Sequence, residues 1–205
     1  MKTNLTSFLL AALLCISAAS GQESQTKVGL GVSLNPTALV FGGTTASLFL
    51  PIGFTNFYVP VMVSAGFRIE PEAGIYSYSS ESSSGSSSSK STESILRVGV
   101  GLFSVRSTES SFSSYLGPRV GILSTSSTSS FTGNPESKTS ETDFFIGLCL
   151  GGEYLFSPHF SAGGEVQLNY ISFGNPDRTP APTTSSTRTQ SLITNNALMF
   201  FRWYY

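Results

Sequence analysis

Charge is scarce in this 205-residue chain: Asp, Glu, Lys and Arg make up 11 % of it, and the formal net charge is −1. No basic stripe suits a nucleic acid, so no nucleic-acid partner is expected. Histidine occurs once, at His159, and cysteine twice, at Cys15 and Cys149. A metal site needs clustered ligands, which so few residues do not supply, and no Ser–His–carboxylate order surrounds His159. The glycine pairs Gly42-Gly43, Gly151-Gly152 and Gly163-Gly164 lack phosphate-loop spacing. No catalytic residue, cofactor or metal is therefore expected, and the chain does not read as an enzyme.

Long apolar runs are missing too. Phe8–Ile16 follows a basic Lys2 and leads into the small residues Ser17–Ser20. It is too short for a membrane helix and has the form of a secretory signal peptide. Residues 1–20 are thus expected to be removed, leaving 21–205 as one domain. Leu14, directly before Cys15, is not the small residue a lipidation signal requires. With Cys15 gone, Cys149 is a lone thiol, so the fold cannot rest on an internal disulfide. A membrane protein without apolar helices has one remaining solution, a closed β-barrel.

What the chain does have is aromatic residues, at 12 %, spread through β-rich segments between polar tracts. Period-two alternation predicts eight strands, at 27–35, 56–63, 67–79, 93–106, 111–124, 142–156, 159–173 and 190–205. The connections alternate strictly between long and short. An all-β, single, eight-stranded antiparallel up-and-down transmembrane barrel predicts this order, with tight periplasmic turns and longer extracellular loops. The low-complexity tract Glu81–Lys90 (ESSSGSSSSK) reads as a mobile loop tip. Ala46–Phe54 is a competing candidate for the second strand.

Parity separates two faces. Phe144, Ile146, Leu148 and Leu150 alternate with Asp143, Phe145, Cys149 and Glu153; Val166, Leu168 and Tyr170 alternate with Glu165, Gln167 and Asn169. A charge at the bilayer midplane costs roughly 2–4 kcal/mol for Arg or Lys, so the polar face must be the lumen. Arg68, Arg97, Arg119 and Arg202 then meet Glu70, Glu72, Glu153 and Glu165 inside. Four acids balance four bases, and a paired cross-barrel network is expected because buried charge requires partners. Eight strands leave an interior that side chains largely fill.

The last strand carries Phe201, Trp203 and Tyr205 on the lipid face, where aromatic rings suit a membrane–water interface. Phe57–Val61 (FYVPV), Phe67–Glu72 (FRIEPE), Gly151–Phe156 (GGEYLF), His159–Ser161 (HFS), Gly163–Tyr170 (GGEVQLNY) and Phe200–Tyr205 (FFRWYY) together resemble bacterial outer-membrane proteins with an OmpX/OmpA-like β-barrel domain. The resemblance implies a place in the bacterial outer membrane, contact with its lipids, insertion by the barrel-assembly machinery, and a C-terminal aromatic assembly signal at Phe201, Trp203 and Tyr205. It implies no particular task. One expectation is a structural or surface-interaction barrel with a filled lumen and polar extracellular loops that meet a ligand. The other is a small porin-like transport barrel passing ions or hydrophobic compounds.

Overall fold

The computed structural model describes residues 27–34, 56–107, 111–180 and 190–205. The signal segment 1–20, most of the first long connection including Ala46–Phe54, and residues 181–189 lie outside the described residues. Ten strands are assigned: β1 (Gly29–Leu34), β2 (Asn56–Tyr58), β3 (Val61–Ser64), β4 (Phe67–Ser84), β5 (Ser87–Ser107), β6 (Phe112–Phe131), β7 (Ser137–Leu155), β8 (Phe160–Phe173), β9 (Asp177–Thr179) and β10 (Gln190–Tyr204). Every pairing is antiparallel. The order runs β2-β1-β10-β8-β7-β6-β5-β4-β3, and β2 also pairs β4, which closes the sheet. With β2 and β3 as one interrupted strand and β9 as an outlying extension of β7, this is the closed eight-stranded barrel expected.

Two departures from the predicted elements have local causes. The strand expected at 56–63 is broken at Val59-Pro60, because Pro60 has no N–H to give a ladder, and the register slips again between Met62 and Ser64. The second departure is larger. Glu81–Lys90 is not a loop: β4 and β5 pair without interruption as far as Ser84↔Ser87, leaving only Gly85-Ser86 as the turn. Gly85 has φ of +59°, the glycine-first arrangement of a two-residue hairpin whose twist matches its strands. Residues 125–141 and 174–189, also expected as loops, likewise contribute strand: β6 reaches Phe131, β7 begins at Ser137, and β9 pairs Lys138–Ser140.

The lengths are informative. β4 to β7 have 18, 21, 20 and 19 residues, about twice the 9–11 that cross a bilayer. Their outer faces show where the crossing part ends. Ile75 gives way to Ser77, Leu96 to Ser94, Ile122 to Ser124 and Phe144 to Thr142. From Phe144 to Tyr154 the outward side chains of β7 are apolar or glycine, and that stretch, tilted, rises roughly 23 Å, close to the apolar band of an outer-membrane barrel. Above it the hairpins continue as a Ser/Thr-rich sheet. The wall is uneven around the barrel. β4–β5, β5–β6 and β6–β7 share 18, 17 and 18 residue pairs, whereas β1 shares six with β10 and three with β2 among the described residues.

Candidate functional site

All eight predicted lumen charges are buried and joined in one network. β6 delivers Arg119 to the centre, where Nη1 donates to Glu72 Oε2 at 2.8 Å and Nη2 donates to Glu70 Oε1 at 2.9 Å. The same Nη2 reaches both oxygens of Glu165 at 3.2 Å. β10 delivers Arg202, which donates to Glu70 Oε2 at 2.6 Å and to Glu153 Oε2 at 2.8 Å. Arg68 bonds the same Glu153 oxygen at 2.8 Å and lies 3.3 Å from Glu70. Arg97 Nε closes the far end on Glu72 Oε1 at 2.8 Å. Six strands contribute, so the network ties opposite walls together across the lumen.

Neutral side chains occupy the carboxylate positions that the arginines leave open. Tyr115 Oη and Gln167 Nε2 donate to Glu165 at 2.7 and 2.6 Å. Tyr204 Oη and Ser161 Oγ donate to Glu153 at 2.7 and 2.5 Å. The guanidinium faces are covered by rings: Arg202 lies 3.8 Å from the Phe200 centroid, Arg97 4.0 Å from Phe145 and Arg68 4.1 Å from Tyr115. Such contacts are worth about 0.5–2 kcal/mol each, more where water is excluded. Arg119 Nε and Arg97 Nη2 have no hydrogen-bond acceptor among the described residues.

Apolar packing fills the space between the charges. Phe103, Val105, Tyr115, Cys149, Leu198 and Phe200 form one buried cluster; Ile95, Leu123 and Phe145 form another. Glycine makes these rings fit. A Cβ on Gly151 would stand 2.2 Å from the Tyr115 ring, and one on Gly163 would stand 2.5 Å from Phe200 and 2.0 Å from a backbone oxygen. Tyr115, Tyr204, Phe103 and Phe200 are missing from the predicted set. Their signal is parity, since each stands an even number of residues from a lumen arginine of its own strand.

The terminal strand presents Phe201, Trp203 and Tyr205 outward. Phe160 stacks on Phe201 and His159 on Trp203, with centroids 6.3 and 6.1 Å apart. His159 Nδ1 lies 2.9 Å from the Tyr204 carbonyl oxygen, which gives this histidine a structural contact at the barrel rim.

Similar solved structures include Neisserial surface protein A, at 14 % identity and a TM-score of 0.45, covering 88 % of this chain and 94 % of that one. A major outer membrane protein from Thermus thermophilus matches at 10 % identity and a TM-score of 0.47, covering 88 % of this chain and 100 % of that one. Ail, the attachment invasion locus protein of Yersinia pestis, matches at 10 % identity and a TM-score of 0.44, covering 89 % and 99 %. No curated protein matches the chain. The outer membrane protein beta-barrel domain family matches residues 6–195, and the chain belongs to that family.

Proposed function

We propose that this is a non-catalytic outer-membrane barrel with a structural or surface-interaction role, whose lumen is sealed and whose long hairpins face the cell exterior. The observation that carries this reading is Arg119, fully buried and shared by Glu70, Glu72 and Glu165 in mid-lumen. A charged group that ties its own strand, β6, to carboxylates of β4 and β8 and is covered by rings is a strut rather than a mobile lining. Export by cleavage after residue 20, contact with outer-membrane lipids, and recognition of Phe201, Trp203 and Tyr205 by the barrel-assembly machinery complete the proposal. Planar-bilayer recordings on the refolded chain test it. Wild type should show little steady conductance, and Arg97→Ala or Glu165→Ala should raise it by removing one partner of a pair. A large, stable, salt-dependent conductance in the wild type would show instead that the charges line a pore and that the barrel transports ions.

A further inference from the structure

The hairpins above the apolar band have two chemically different faces. On the outer face the hydroxyls satisfy one another: Ser77 with Ser94 at 3.2 Å, Ser79 with Thr92 at 3.2 Å, and Ser88 with Thr132 at 3.0 Å. The inner face continues the lumen wall. There Ser82, Ser89 and Phe131 stand in one cross-strand row, and Ser80, Ser91, Ser129 and Ser137 in the next but one. Among the described residues none of these serines has a side-chain hydrogen bond. Between β4 and β5 successive rows alternate between close and wide pairs, so the outer hydroxyls meet while those of Ser80 and Ser91, and of Ser82 and Ser89, stand apart. These rows, with Asn134 of the β6–β7 turn, border a cavity of about 410 Å³, within the roughly 300–1,000 Å³ of small-ligand sites. Phe131, 51 % exposed, offers it an aromatic ring.

The ligand that fits must present many hydroxyls and one apolar face. A hydroxyl both donates and accepts, so a serine grid pairs with other hydroxyls without charge. An aromatic ring packs by dispersion against a flat array of C–H groups, as on one face of a pyranose. Charge selection is weak, since among the described residues Lys90 is the one ionisable group bordering the cavity and Glu81 stands opposite it in register. We propose that this cavity binds a neutral saccharide, with one hexose stacked on Phe131 and its hydroxyls held by the inner-face serines and Asn134. The glycan comes from outside rather than from the surrounding leaflet, because this face is turned toward the barrel axis and away from lipid. The proposal rests on the surface-interaction reading above and names its ligand class.

The test is titration of the refolded full-length chain in detergent micelles with neutral oligosaccharides ending in glucose, galactose or mannose, and with their sialylated counterparts. Binding is followed by calorimetry and by the NMR shift of the Asn134 side-chain amide. Saturable binding of a neutral sugar is expected, weakened about tenfold or more by Phe131→Ala and by Ser91→Ala, which removes the hydroxyl and adds no bulk. Thr92→Val, on the opposite face, should bind as wild type does. No saturable binding of any neutral sugar, tighter binding of the sialylated series, or wild-type affinity in both inner-face variants would overturn the proposal. Such a failure beside a silent bilayer recording leaves the sealed-lumen reading standing, whereas a conducting wild type overturns that reading itself.

Discussion

Arg119 and Arg97 occupy neighbouring places in the same lumen but differ in what depends on them. Among the described residues Arg119 is the sole guanidinium contacting Glu165 and one of two on Glu72, whereas Arg97 holds a single carboxylate and stacks on a ring. Removing one partner of a truly buried pair costs about 3–5 kcal/mol because the other charge is stranded. Arg119→Ala should therefore lower the urea midpoint of the refolded barrel by more than Arg97→Ala, which lies nearer the mouth. Equal midpoints would contradict the central place given to Arg119. Size is as constrained as charge: Gly151→Val drives its side chain into Tyr115, and overpacking of this kind costs about 1–3 kcal/mol. Tyr115→Ala in the same chain should recover part of that loss, which a denaturation series on the single and double variants checks.

The β4–β5 hairpin shows how a strand can be hidden in a sequence. Serine has little apolar signal to alternate, and a serine run resembles a solvated linker. What holds these residues extended is the ladder: β5 pairs with β4 on one side and β6 on the other, so the barrel wall templates its own extension. One clue was present. Glu81 and Lys90 flank the tract symmetrically about Gly85-Ser86 and pair in register. The membrane-spanning parts were legible because lipid enforces a strict alternation there, and above the band that selection ends. Gly85→Val places a β-branched residue at a positive φ, a strain of roughly 1–2 kcal/mol confined to the turn. Amide exchange at Ser82–Ser89 should quicken about tenfold or more in that variant, with the β6 and β7 amides near Arg119 unchanged. Loss of protection throughout the barrel would show that the hairpin is not an independent extension.

The chain as a whole is a tube with a dry apolar outside, a charged but neutralised inside, and a polar crown. Parity along each strand was enough to place all eight lumen charges and the Phe145 ring beside Arg97; Phe103, Tyr115, Phe200 and Tyr204 stand at the same parity, but an aromatic residue taken alone suits lipid and lumen equally. Trp203 is the only tryptophan in the chain and points outward near the barrel end. Brominated lipids should quench its fluorescence most strongly when the bromine lies near the headgroups; strongest quenching from the acyl-chain ends would displace the proposed band. Tyr205→Asp should reduce the amount of assembled barrel in the outer membrane well below that of Ser84→Asp, measured by heat-modifiable gel mobility, and equal amounts would refute the terminal-strand proposal. The uneven wall has a mechanical meaning. Among the described residues three long ladders make most of the circumference a stiff plate, while β1 and the broken β2–β3 strand form a narrow seam. Arg202 and Glu70 lie on β10 and β4, on opposite sides of that seam, and their 2.6 Å contact spans it through the lumen like a tie rod. Pulled from its N-terminus in a single-molecule experiment, the barrel should yield first along β1, and then resist at a second, higher force set by the tie rather than by backbone pairing.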